Sequence, residues 1–254
     1  MKKELFTLWI QSGLDDFTKL CIKSWLRLDY HVKLYCYEEP IGLDLVELEG
    51  VEWLDASDIV PMPPIEDYAS IADFFRFYYL KNYGGTWIDT DELLLRHLPD
   101  DEIIISSEAS KLIGAYKTKD RIFSPNIGVL RFPKEHIIMI KTTEKVEKAI
   151  NKGIINNSNY NSLMKIFQKI IIKDYLHLVS DYNKYCPINW SYTKELYTQP
   201  DIISNNKHGI VQPNMEWILI NSVGIHLWRN IYKKKNLTPL KNCVYLKLKR
   251  MIEE

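Results

Sequence analysis

The sequence predicts an α/β protein built around a mostly parallel sheet. Three observations carry that expectation. Leu5-Phe6-Thr7-Leu8-Trp9-Ile10 is an apolar run that reads as a buried strand, and His31-Val32-Lys33-Leu34-Tyr35-Cys36-Tyr37 alternates as a second strand does. The segment between them has helical length, and a strand, a helix and a strand at this spacing make a βαβ unit with parallel strands. Finally, 254 residues with 46% hydrophobic content supply one large domain, or a core carrying an insertion, and no internal repeat is visible.

Each element has a local reason. Gln11-Ser12-Gly13 reads as a turn, and Asp15 or Asp16 caps a helix to about Leu28. Glu39-Pro40 stops the second strand, and Val51-Glu52-Trp53-Leu54 is a short third one. Pro61-Met62-Pro63-Pro64 cannot be helical. A helix follows from about Asp67 to Tyr83, with Ile71, Phe75, Tyr78 and Tyr79 on its packed face. Gly84-Gly85 releases that helix into a tight turn, because glycine accepts positive φ. Thr86-Trp87-Ile88 and Leu93-Leu94-Leu95 then read as strands. So do Glu102–Ser106, Leu112–Tyr116 and Pro125–Phe132, the last with Gly128 allowing close backbone approach. Pro133 fits the start of a helix to about Ile150.

Residues 151–185 change character, from an Asn-rich stretch to the apolar run Leu163–Ile172, and read as a helical insertion within a single domain spanning 1–254. Asn189–Tyr197 reads as another helix, and Ser222–Trp228 as a late strand returning to the core. Residues 229–254 hold eight Lys/Arg against two Glu, and Leu237, Leu240, Val244, Leu248 and Met251 keep helical spacing. This predicts a basic C-terminal helix. It either touches an anionic membrane surface peripherally or docks on the core with its polar face outward.

Composition excludes several classes. Lys+Arg and Asp+Glu are 33 each, so the chain lacks the basic surface of a dedicated nucleic-acid binder. Cys21, Cys36, Cys186 and Cys243 form no CxxC pair, which argues against structural zinc and for buried thiols in a reducing compartment. The few apolar residues after Glu4 are too short for a signal-peptide core, and no run approaches the roughly 20 apolar residues of a membrane span. The expected location is cytoplasmic, at most peripheral at the inner face of a membrane. Sequons beginning at Asn156, Asn189 and Asn236 have no consequence without a secretory route.

The chemistry concentrates at Asp89-Thr90-Asp91. In an extended segment residues two apart share a side, so both carboxylates face one way at a strand end. That is a seat for a hard divalent cation, Mg²⁺ or Mn²⁺, with places left for phosphate oxygens. Upstream, Ser70, Asp73 and Arg76 fall on one helix face. Taken alone, Asp73 and Arg76 read as a surface i,i+3 ion pair worth a few tenths of a kcal/mol.

Ser-x-x-Asp-x-x-Arg, then Tyr-Gly-Gly, then Asp-x-Asp occupy Ser70 to Asp91 as one pattern. The pattern resembles the DXD-containing sugar transferases, including glycosyltransferase family 32 (capsular-polysaccharide and yeast-type mannosyl- and galactosyltransferases) and the glucosylating clostridial toxins. The resemblance covers about residues 1–135 and 220–230 and is poor over 151–215. It implies a GT-A fold, a Rossmann-like α/β sandwich, and a nucleotide-sugar held through Mn²⁺ or Mg²⁺. Position by position, it implies that Asp91 binds the metal directly, and that Asp89 contacts ribose and metal, partly through water. Asp73 and Arg76 hold the donor sugar's hydroxyls, with Arg76 reaching toward the diphosphate. Trp9 sits where the family stacks an aromatic near the base, core packing being the alternative. His226 is a third metal ligand or a diphosphate contact, Trp228 a wall of the site, and Asn126 a contact beneath the donor sugar.

The expected activity is transfer of a hexose-type sugar to a glycan, glycolipid or other hydroxyl acceptor, with retention by the family resemblance. UDP is the preferred nucleotide, because aromatic stacking near the first strand suits uracil, and GDP-mannose is the alternative donor. A non-catalytic nucleotide-sugar or glycan-binding protein on a degenerate transferase core is the competing reading. A two-metal phosphohydrolase is disfavoured, because the six histidines do not cluster.

Overall fold

The computed structural model describes residues 3–10, 13–38, 48–109, 116–117, 122–154, 162–202 and 212–254. Strand β1 (Glu4–Trp9) leads to helix α1 (Asp16–Leu26), capped by Asp15, whose side chain accepts from the Thr18 amide. Strands β2 (His31–Cys36) and β3 (Val51–Asp55) follow. Helix α2 (Tyr68–Tyr83) is capped by Asp67 and runs into β4 (Gly85–Ile88) and β5 (Glu92–Leu94). Next come β6 (Ile104–Ala109), β7 (Tyr116–Lys117) and the long β8 (Ile122–Phe132). Helices α3 (Ile137–Asn151), α4 (Ser162–Asp174), α5 (Tyr182–Tyr185), α6 (Thr193–Thr198) and α7 (Met215–Asn221) precede β9 (Gly224–His226). Helices α8 (Arg229–Lys234) and α9 (Val244–Glu253) end the chain.

The main sheet has the order β3-β2-β1-β4-β8-β6, with β7 on β8. β1 pairs in parallel with β2 and β4, and β2 with β3. β8 pairs antiparallel with β4, β6 and β7, so it alone of these seven strands runs against the others. This is the expected α/β, mostly parallel architecture. β1 is central and apolar on both faces, as a covered parallel strand must be. Leu5 and Trp9 join Trp25 and Cys21 of α1 in one core, while Phe6 and Leu8 join Phe75 and Leu80 of α2 in the other.

Several boundaries differ from the sequence reading. Helix α3 starts at Ile137 rather than at Pro133, because Glu135 takes a left-handed φ of 59° and His136 supplies the cap. β9 does not rejoin the main sheet but pairs with β5 in a separate two-stranded ribbon. The basic tail is two helices rather than one. Asn236 and Asn242 hold left-handed φ values of 47° and 67° around Pro239, and proline cannot continue a helix. In α9, Val244, Tyr245 and Leu248 are buried in the α1 core. Helix α4 packs against α2: Phe167 stacks on Phe77 with centroids 5.6 Å apart. The turn at 11–12, the stop at 39–40, the strand at 112–115 and the Asn-rich stretch at 155–161 lie outside the described residues. No helix among the described residues is long and apolar enough to cross a membrane.

Gly84 ends α2 through a bond from its amide to the Leu80 carbonyl at 3.1 Å. Its φ of 70° and ψ of −164° lie in a region essentially reserved for glycine. A Cβ there would also stand 2.5 Å from the Lys134 backbone nitrogen. Gly84→Ala is therefore expected to lower stability by about 2–4 kcal/mol, combining backbone strain and overpacking. Urea denaturation measures this, and a change below about 0.5 kcal/mol, the range of an ordinary surface substitution, would contradict the assigned turn.

Candidate active site

The site forms where the carboxyl ends of β1 and β4 meet the amino-terminal half of β8. Asp73 and Arg76 sit on the buried side of α2, and one i,i+3 step brings Arg76 Nη2 to 3.1 Å from Asp73 Oδ1. Arg76 Nη1 lies 3.1 Å from Asp89 Oδ1, just past the end of β4, and donates to the Ile127 carbonyl of β8. The guanidinium carbon is 4.4 Å from the Trp87 ring centroid, and Trp87 Nε1 donates to Asp89 Oδ1 at 2.8 Å. One cation thus ties a helix and two strands together. The pair that reads as a surface pair when taken alone is buried, with Arg76 4% and Asp73 8% exposed. Burial pushes the Asp73 carboxyl up to about 7, with Asp89 and Asp67 adding and Arg76 opposing. Burial also raises Asp89, against the pull of Arg76. Ser70 is engaged elsewhere: its amide and hydroxyl both donate to Asp67.

The β5–β9 ribbon builds the other half. Its register sets Glu92 directly opposite His226. His226 Nδ1 stands 3.1 Å from Glu92 Oε2, and Nε2 stands 3.4 Å from Asp91 Oδ2. Asp91 Oδ2 also accepts from the Arg229 amide at 3.1 Å. Trp228 takes a left-handed φ of 55°, sets its ring edge-on to His226 with centroids 4.5 Å apart, and donates from Nε1 to the Ile188 carbonyl. Gly128 floors this space, since a Cβ there would lie 3.4 Å from Asp89 Oδ2 and 3.7 Å from His226 Nδ1. Asn126 reaches the same corner: its Oδ1 accepts from Ser106 Oγ and from the Gly128 amide.

Asp89, Asp91 and His226 each offer a ligand atom, all within 4.8 Å of one another. Two carboxylates and an imidazole, with a surplus of negative charge, fit a divalent cation with oxygen and nitrogen preferences. The surplus shows in the imidazole. Burial opposes a charged ring, yet Asp91, Glu92 and Asp89 outweigh it and raise His226 to about 10. Burial pushes Glu92 up to about 7 despite His226.

Trp9 shows the packing alternative of its two readings. It is 4% exposed, sits in the α1 core, and has the Arg229 guanidinium 4.7 Å from its ring centroid. Arg229 in turn donates to Asp15 Oδ2, which Lys233 Nζ also approaches at 3.0 Å.

The sequence reading missed Glu92, Arg229, the pairing of Arg229 with Asp15, Ser106 and Glu108. Glu92 and Arg229 each directly follow a residue it singled out, Asp91 and Trp228, and adjacency was the available signal. Glu108 lies on β6, and burial pushes its carboxyl up to about 7 against the opposing charge of His226. It lies outside the Ser70–Asp91 pattern in sequence, so no motif marks it.

Comparisons with known proteins find likenesses over part of the chain. Residues 16–110 match the family model described as "Glycosyltransferase sugar-binding region containing DXD motif". No curated protein matches the chain. Among solved structures, the PaToxG glycosyltransferase is similar at 15% identity and a TM-score of 0.49, over 68% of this chain and 69% of that one. The apo-form glycosyltransferase GlyE of Streptococcus pneumoniae TIGR4 is similar at 14% identity and a TM-score of 0.40, over 72% of this chain and 46% of that one. The UDP-bound glycosyltransferase domain of the YGT toxin is similar at 11% identity and a TM-score of 0.38, over 92% and 77%. At such identities neither substrate nor partner transfers from them.

Asp15 pairs with Arg229, whose amide binds Asp91, and its charge is testable. Burial raises its carboxyl, but the Thr18 amide, Arg229 and Lys233 outweigh burial and hold it below the ordinary value. A lowered value means that the stabilisation is present above the ordinary carboxylate range and is lost as pH falls through the folded-state value. Asp15→Asn is expected to cost about 1 kcal/mol near neutral pH, and the gap from wild type should shrink below about pH 4. Urea denaturation at both pH values checks this, and a gap that stays constant would contradict the charge-based role.

Proposed function

We propose that this chain is a metal-dependent glycosyltransferase that moves a hexose-type sugar from a nucleotide-sugar to a glycan, glycolipid or other hydroxyl acceptor. The observation that carries the reading is the Asp89–Asp91–His226 cluster, inside and beside the stretch that matches a DXD sugar-binding region. The donor nucleotide is UDP or GDP, since Arg229 stands over the Trp9 ring whose stacking would favour UDP.

Asp91, Asp89 and His226 would hold Mn²⁺ or Mg²⁺. A divalent cation bound there supplies positive charge against the leaving diphosphate. Arg76 positions Asp89 and Asp73 through its paired contacts, which leaves the two carboxylates fixed before the donor arrives. Asp73 and Arg76 face the donor sugar in this reading, with Asn126 beneath it and Trp228 as a wall. The acceptor oxygen forms the new bond to the anomeric carbon as the bond to the phosphate oxygen breaks. The acceptor proton leaves with the nucleoside diphosphate. The developing charge at the sugar has oxocarbenium character. Retention is the proposed stereochemical outcome.

A non-catalytic nucleotide-sugar binder would share the cation seat but not turn over. Release of free UDP or GDP from nucleotide-sugars, with and without Mn²⁺, separates the two. Asp91→Asn should reduce metal-dependent donor cleavage by at least about 100-fold, the scale of losing a preorganised electrostatic contact, with unchanged circular dichroism. Turnover near that of wild type in this variant would defeat the assignment.

A further inference from the structure

The sequence pattern ends at Asp91, yet the next residue is the more unusual one. Glu92 is 1% exposed. Its backbone is fixed independently of its side chain: its amide donates to the Asp89 carbonyl at 3.0 Å, and its carbonyl accepts from Trp25 Nε1 at 2.8 Å. Its side chain could therefore be apolar without losing the strand. Burying a carboxylate costs several kcal/mol unless it is well paired. Here Oε2 meets His226 Nδ1 at 3.1 Å, while Oε1 is buried with no hydrogen-bond partner. The opposing strand makes room for it. Gly224 is the residue that faces Oε1, and a Cβ at that position would stand 2.5 Å away.

We propose that Glu92 is a positioning residue that fixes His226 as a metal ligand through Nε2. The inference rests on the metal-dependent reading given above. The β5–β9 register places the two side chains opposite one another, so the contact is set by strand pairing. An imidazole that donates its Nδ1–H to a carboxylate keeps the Nε2 lone pair for a cation, and the carboxylate strengthens it as a ligand. Nε2 is the nitrogen aimed at Asp91, 3.4 Å from Oδ2. A nitrogen ligand favours Mn²⁺ over Mg²⁺, which prefers oxygen. Glu92 thus makes the site selective for Mn²⁺ without touching the ion.

The test uses the full chain with Mn²⁺ or Mg²⁺ alone as probe, so it does not depend on turnover. Calorimetry gives the affinity for each ion, and pulsed electron paramagnetic resonance reads nitrogen coupling to bound Mn²⁺. Wild type is expected to show imidazole nitrogen coupling. Glu92→Leu should lose that coupling and bind Mn²⁺ about 10–100-fold more weakly, with a smaller loss for Mg²⁺. A folded Glu92→Leu variant that keeps both coupling and Mn²⁺ affinity would overturn the proposal. Should that variant not fold, Glu92→Gln decides: it keeps an acceptor oxygen, so coupling should persist while the Mn²⁺-to-Mg²⁺ affinity ratio falls. An unchanged ratio, or equal losses for both ions, would mean a charge effect only and would overturn the positioning role. Wild type that binds Mn²⁺ without nitrogen coupling removes this proposal and leaves the metal reading standing. Wild type that binds neither ion removes both.

Discussion

The burial of Arg76 between Asp73 and Asp89 is the constraint on which the site depends. Arg76 comes from a helix, Asp89 from just past the strand after it, and the Ile127 carbonyl it also binds comes from a third element. A buried guanidinium must have its partners, because removing one side of such a pair costs about 3–5 kcal/mol. The helix, the Gly84 turn and β8 are therefore held in one arrangement by one side chain. Trp87 covers one face of the guanidinium and also anchors Asp89. The consequence is that Asp89 cannot swing away, and the pair Asp89 and Asp91 keeps a fixed aim.

The second constraint is the ribbon of β5 and β9. It connects the end of the DXD pattern to a segment more than a hundred residues later, and it does so by strand register rather than by a loop. Because Glu92 and His226 are directly opposed, the imidazole is delivered beside Asp91 with one nitrogen already engaged. Arg229 then links this ribbon back to β1 and α1, through its amide on Asp91 and its side chain on Trp9 and Asp15. Carboxylates outnumber cations around His226, and that imbalance is what suits the place to a divalent ion.

The βαβ start, the α2 helix and its glycine stop were legible because each rests on local chemistry: strand composition, an aspartate cap, and glycine at positive φ. The clustering of Asp73, Arg76, Asp89, Asp91, Asn126, His226 and Trp228 was legible only through the resemblance, since no periodicity joins residue 91 to residue 226. What stayed hidden depends on long-range pairing. The antiparallel insertion of β8 and the separation of β9 from the main sheet follow from which strands meet, and single strands do not announce their partners. The burial that turns an i,i+3 pair into a structural tie is likewise a tertiary fact. Trp9 shows the converse: its place at a strand end was right, but Arg229, distant in sequence, occupies its face.

The central claim is that this cluster is a cation seat that receives a nucleotide diphosphate. A thermal-shift titration of the chain with UDP-sugars and GDP-sugars, each with and without Mn²⁺, tests it most directly. A ligand bound only by the native state at about 100 times its Kd stabilises by about 2.7 kcal/mol, which for a chain of this size is a rise of roughly 5–10 °C. The predicted result is such a rise with one nucleotide class that requires Mn²⁺ and disappears in Asp91→Asn. No rise with any nucleotide-sugar in the presence of Mn²⁺, or an equal rise in its absence, would contradict the account.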